Sequence, residues 1–207
     1  RMNIDKKEIK KELKETSIKE TDLIDLKDKL DKLNAPKKIK TRIELEIRRY
    51  ETLPATSPEI SVTRDYIEWL LELPWNIHTF DNDDLIDVRQ KLDESHNGLD
   101  DVKTRIIEYL AVKKLTNNLR SPIICLVGPP GTGKTTLAFS IANAMHRKFV
   151  KISVGGISDE AELIGHRKTY IGSSPGRIIN SIKKAKSNNP VFLIDEIDKM
   201  LKNFKGD

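Results

Sequence analysis

The stretch Gly128-Pro129-Pro130-Gly131-Thr132-Gly133-Lys134-Thr135 constrains this chain more than any other. Its spacing is G-x-x-x-x-G-K-[ST]. It directly follows five apolar residues, 123–127, and directly precedes a helical pattern over 134–147. Each residue type has a physical reason. The glycines let the backbone curl so that several N–H groups point inward at phosphate oxygens. The helix that follows adds the partial positive charge of its N-terminus. Lys134 is placed to reach β- and γ-phosphates, and the Thr135 hydroxyl to coordinate Mg²⁺. The expected binding set is therefore Gly128, Pro129, Pro130, Gly131, Thr132, Gly133, Lys134 and Thr135, for a phosphate chain with Mg²⁺.

A second motif lies 60 residues further on. Val191-Phe192-Leu193-Ile194 reads as a buried strand ending in Asp195-Glu196. Two acids at the carboxyl end of such a strand stand at the sheet edge where phosphate loops also open. Asp195 is the candidate Mg²⁺ ligand and Glu196 the candidate general base for an attacking water. The alternative for the pair is an ordinary acidic helix cap. Asp198 reads as a solvated or structural acid.

The rest of the chain supplies the setting. Helices are expected over 4–34, 37–51 and 58–73. Leu23, Leu26, Leu30 and Leu33 form one stripe on the first, and Ser57-Pro58 forms a cap on the third. Further helices are expected at 83–94, 99–117, 134–147, 158–165 and 175–187. Strands are expected at 123–127, 149–154 and 191–194. Strands alternating with helices imply parallel βαβ units. All ten glycines lie at position 98 or later. The expected organisation is thus a helical region 1–74, a linker 75–98 and a P-loop α/β region 99–207.

Charge and composition exclude several classes. Blocks 1–50, 51–100, 101–150 and 151–207 carry +5, −9, +6 and +3. Alternating blocks are not the footprint of a simple nucleic-acid binder. No apolar run reaches the roughly 18–20 residues that span a bilayer, and no signal-peptide pattern opens the chain. The lone Cys125 excludes an internal disulfide and reads as a small buried hydrophobe. The four histidines (78, 96, 146 and 166) lack ligand spacing.

The phosphate loop and the Asp195-Glu196 pair together resemble the AAA+ ring ATPases, which implies ATP with Mg²⁺ as the cofactors. The segment from Gly155 to Gly176 between them resembles the Lon family of ATP-dependent proteases. So do Leu73-Pro74-Trp75-Asn76, His96-Asn97-Gly98-Leu99 and Glu108-Tyr109-Leu110-Ala111-Val112. The resemblance covers about residues 64 to 207 strongly and 1–63 more weakly. It implies that Tyr170 and Ile171 line the central pore of a hexamer and grip an extended polypeptide. Periodicity alone reads that pair as strand core. The resemblance also puts the His96 turn and Tyr109 beside the adenine, with His96 either a structural cap or an adenine contact. This chain has Asn97 where the family pattern has Tyr. Arg167 and Lys168 are read as subunit or substrate contacts, or as solvated charges, and Arg177 as structural.

The resemblance implies a homo-hexameric serine protease acting on unfolded proteins. A neighbouring subunit would supply an arginine to the transition state, and the peptidase dyad would lie beyond this segment. The chain itself is expected to bind nucleotide weakly and to hydrolyse it slowly or not at all. A bacterial cytoplasm is the expected location, with the mitochondrial matrix as the alternative. Three rivals stay open. One is another AAA+ unfoldase or clamp-loader-type ATPase without a protease. Another is a helical interaction arm, and the third is DNA binding with salt-dependent affinity.

Overall fold

The computed structural model describes residues 2–116, 123–157, 159–167 and 173–199. The chain forms two compact units. One is built from residues 2–77 and 157–188, the other from 78–156 and 189–199.

The first unit is helical. Helices α1 (Met2–Lys32), α2 (Lys37–Thr52) and α3 (Glu59–Glu72) pack on one another. The leucine stripe of α1 behaves as its spacing requires. Leu26 and Leu30 are buried with Ile43, Ile47 and Tyr50 of α2 and Ile67 of α3, while Leu23 and Leu33 cover the margin. Asp22 ties the three helices together. Its carboxylate accepts from Arg64 Nε at 3.0 Å and from the Tyr50 hydroxyl at 3.4 Å. Pro58 takes helical dihedrals in front of α3, and Ser57 Oγ accepts the Glu59 N–H at 3.3 Å, so the Ser-Pro start works as a cap.

Two shorter helices belong to this unit, α7 (Ala161–Ile164) and α8 (Arg177–Ala185). Both are shorter than their sequence patterns suggest. Gly165, at φ +101°, ends α7. Pro175 and Gly176 keep the chain extended before α8, and Lys186 closes it in the left-handed region. Lys183 of α8 lies 4.0 Å above the Trp69 ring of α3 and also pairs with Glu72.

The second unit is an α/β layer. It holds α4 (Leu85–Ser95), α5 (Asp100–Thr116), α6 (Lys134–Ala144), β1 (Phe149–Ser153), β2 (Val191–Asp195) and a 3-10 turn at Ile197–Lys199. Asp84 caps α4 by accepting from the N–H groups of Ile86 and Asp87. Val88 and Leu92 of α4, Ile106 and Leu110 of α5 and Leu137 of α6 form the core with Met145. Strands β1 and β2 run parallel, with Val150 opposite Phe192 and Ile152 opposite Ile194. The Phe149 ring on β1 meets Phe139 of α6 edge-on at 5.5 Å. Asp81 closes the unit, accepting from Arg147 Nε at 2.5 Å and Lys113 Nζ at 3.3 Å. Burial works against the Asp81 charge. The Arg147 hydrogen bonds and the two cations outweigh it and hold the carboxyl below its ordinary range.

One expected strand is absent from this layer. Residues 123–127 take no strand conformation, Ile123 and Val127 are 95% and 91% exposed, and Cys125 is exposed rather than buried. An apolar run can become a strand only where a neighbour pairs its N–H and C=O groups. Among the described residues, β1 and β2 pair with each other and no described strand pairs with 123–127. No helix among the described residues is long and apolar enough to cross a membrane.

Candidate functional site

The loop from Gly128 to Gly133 leads straight into α6. Gly131 and Gly133 both sit at φ +81°, a left-handed conformation that side chains resist. Thr132 Oγ1 donates to Pro129 O at 2.9 Å and closes the loop on itself. Lys134 folds back over it, and its ammonium donates to Gly128 O at 2.7 Å and Pro129 O at 2.6 Å. Gly133 occupies the cap position of α6, no side chain caps the helix, and its first turn carries no acid. The opening N–H groups of α6 therefore meet no carboxylate from their own chain neighbours. Positive helix end, curled glycines and ammonium converge as an anion requires. Thr135 follows at the second position of α6 and is half-buried.

Asp195 is the last residue of β2 and Glu196 follows it out of the sheet. Asp195 Oδ2 pairs with Lys151 Nζ of β1 at 2.7 Å, and Oδ1 accepts the Glu196 N–H at 3.0 Å. The Lys151 hydrogen bond is the main cause that holds the Asp195 carboxyl below its ordinary range. Glu196 adopts φ +62°, rare for a side-chain-bearing residue. Both its oxygens are engaged. Oε2 accepts from Ser153 Oγ at 2.8 Å, and Oε1 pairs with Lys199. These two contacts, Lys199 first, also lower the Glu196 carboxyl. Gly155 makes room for this arrangement, because a Cβ there would stand 2.7 Å from Glu196 Oε2.

Both groups fit the cofactors expected from the sequence. The loop supplies donors and an ammonium to phosphate. Asp195 already holds a cation, the Lys151 ammonium, on an ionised carboxylate, and hard oxygen donors are what Mg²⁺ takes. Helix α6, which starts at the loop, packs against both strands.

His96 ends α4, and its ring reaches the first turn of α6: Nε2 lies 3.1 Å from Thr136 Oγ1, and Nδ1 lies 3.0 Å from Ser95 Oγ. Tyr109 sits on α5, half-buried against the core of the second unit. Arg177 opens α8 and pairs with Glu162 of α7 at 2.7 Å. Asp198 is exposed in the 3-10 turn. Arg167 is exposed. Lys168, Tyr170 and Ile171 lie outside the described residues. Residue spacing alone points to none of Ser153, Lys151, Lys199 or Lys103, the last donating from Nζ to His96 O at 2.6 Å, as partners of this site. The first three depend on the register of β1 against β2 and on the turn after it. The fourth depends on a single buried ammonium.

This geometry defines a P-loop α/β module of the AAA class. The family model described as "ATPase family associated with various cellular activities (AAA)" matches residues 124–207. Within that class the relatives are specific. The chain is 52% identical over 201 residues, 97% of its length, to Lon protease of Clostridioides difficile strain 630 and to Lon protease 1 of Bacillus subtilis strain 168. It is 52% identical over 206 residues, all of its length, to Lon protease of Elusimicrobium minutum. The chain belongs to the Lon family. It spans about a quarter of the length of these curated relatives: 26%, 26% and 25%.

Proposed function

We propose that this chain is the nucleotide-binding portion of an ATP-dependent Lon-type protease. The observation that carries the reading is the loop with left-handed Gly131 and Gly133 running into a helix without a side-chain cap, spanned by the Lys134 ammonium. In this reading Lys134 leaves the Gly128 and Pro129 carbonyls and holds the β- and γ-phosphates, while the N–H groups of the loop take the remaining oxygens. Thr135 and Asp195 would hold Mg²⁺, which would supply charge neutralisation to the phosphates. Glu196 orients a water and accepts its proton at a carboxylate oxygen now engaged by Ser153 or Lys199.

The whole protein would degrade unfolded proteins as a cytoplasmic homo-hexamer, with Tyr170 and Ile171 gripping the substrate chain and Tyr109 on the adenine side. The proposed organisation keeps a helical region 1–74, a connector 75–98 and an ATPase region 99–207. Glu196→Gln in a full-length protein carrying this sequence tests the base. Hydrolysis and protein degradation should fall by about 10²-fold or more, the scale of a lost general base, while ATP binding stays intact. Turnover that survives the change would remove Glu196 from the role.

A further inference from the structure

His96 connects the α4–α5 turn to the first turn of α6, directly after the phosphate loop. Thr136 Oγ1 donates its only proton to Gly133 O at 2.7 Å. Its oxygen is then left to accept, a role that the Nε2–H tautomer of His96, 3.1 Å away, satisfies. Nδ1 faces Ser95 Oγ at 3.0 Å, a hydroxyl that also reaches Leu92 O at 3.1 Å. Gly133 O, the end point, also accepts the Leu137 N–H at 2.8 Å.

The ring is anchored from behind. The His96 N–H donates to Leu92 O at 3.1 Å. Its carbonyl accepts from Lys103 Nζ at 2.6 Å, and that ammonium, 2% exposed, is held by Asp93 at 2.7 Å. A buried ammonium with two short partners is costly to displace. Gly98 and Leu99 continue the turn at φ +70° and +59°. The imidazole is thus gripped on its backbone and presents Nε2 to the first turn of α6.

We propose that His96 is a positioning residue for the phosphate loop. Through Thr136 it fixes the carbonyl of Gly133 and the left-handed turn there, instead of contacting a base. This rests on the nucleotide-site reading above, and it makes a separable demand. A base contact affects only ligands that carry the base, whereas a brace on Gly133 affects every polyphosphate alike.

The test compares Mg·ATP with Mg·tripolyphosphate by NMR titration of the full 207-residue chain, which reads weak as well as tight binding. His96→Phe keeps a ring and removes the donor. Thr136→Val keeps the shape and removes the hydroxyl. His96→Gln restores an N–H donor. Each of the first two should weaken both ligands by about fivefold to tenfold, with no further loss in the double variant, because the pair acts as one link. His96→Gln should stay within about threefold of the unaltered chain on the same scale. The inference is overturned if His96→Phe weakens ATP and spares tripolyphosphate, if neither ligand responds, or if the two changes add. Failure of the unaltered chain to bind either ligand, or binding indifferent to Lys134→Ala, would instead overturn the nucleotide-site reading, and this proposal with it.

Discussion

Glu196 combines a left-handed backbone, two engaged carboxylate oxygens and a neighbour without a side chain. Any Cβ at 155 would press on Oε2 from 2.7 Å, against a carboxylate held by Ser153 and Lys199 rather than free to swing. Gly155→Ala should therefore disturb hydrolysis and leave binding alone. We expect turnover of the full-length protein to fall about tenfold, equivalent to about 1.4 kcal/mol of barrier, with ATP affinity unchanged. Equal losses in affinity and turnover would mean that Gly155 supports the fold of the site as a whole. At this scale much was legible in advance. Gly133 stands where the G-x-x-x-x-G-K-[ST] spacing asks for glycine and takes a left-handed backbone there, whereas Gly131, equally left-handed, falls on an x position of that spacing. Ser153, Lys151 and Lys199 were not legible. The roles of Ser153 and Lys151 follow from which residues of β1 lie beside Asp195 and Glu196, and that of Lys199 from the 3-10 turn after β2; a single strand's pattern says nothing about its partner's register.

At the level of elements, the Asp81 bridge makes the second unit sensitive to acid. Asp81 is charged below the ordinary carboxylate range, because Arg147 and Lys113 overcome the cost of burial. A carboxyl depressed in the folded state stabilises fully above its unfolded value and loses that contribution as pH falls through the folded one. Asp81→Asn should cost about 1–2 kcal/mol at neutral pH, a charge-assisted bond discounted for partial exposure. The gap should close below about pH 4, where the unfolded carboxyl begins to protonate. Urea unfolding at pH 7 and at progressively lower pH measures both limbs, and a pH-independent gap would assign the effect to packing. The elements themselves were mostly legible. The helices come from strong apolar stripes, as in α1, or from clear starts such as Ser57-Pro58. The 123–127 segment shows the limit of such reading. Apolar character marks a run suited to a strand, but the ladder belongs to the neighbour, and β1 and β2 pair with each other. The short α7 and α8 reflect Gly165, Pro175 and Gly176, local breakers that outweigh the apolar pattern around them.

On the scale of the whole chain, charge and function divide along the sequence. The −9 block of 51–100 supplies Asp81, Asp84 and Asp93, which hold Arg147, the start of α4 and the buried Lys103. The +6 block that follows holds the loop and Lys134. The basic balance is therefore spent inside the chain as well as on solvent, which is why net charge alone says little about partners. The central claim is that the Gly128–Thr135 loop binds Mg·ATP through Lys134. The direct measurement is an NMR titration of the 207-residue chain with Mg·ATP, following the backbone amides of Gly131, Thr132, Gly133, Lys134 and Thr135. The account requires these amides to shift saturably, with the affinity reduced at least about tenfold in Lys134→Ala and retained in Glu196→Gln. Loop amides that stay still, or an affinity indifferent to Lys134→Ala, would contradict it.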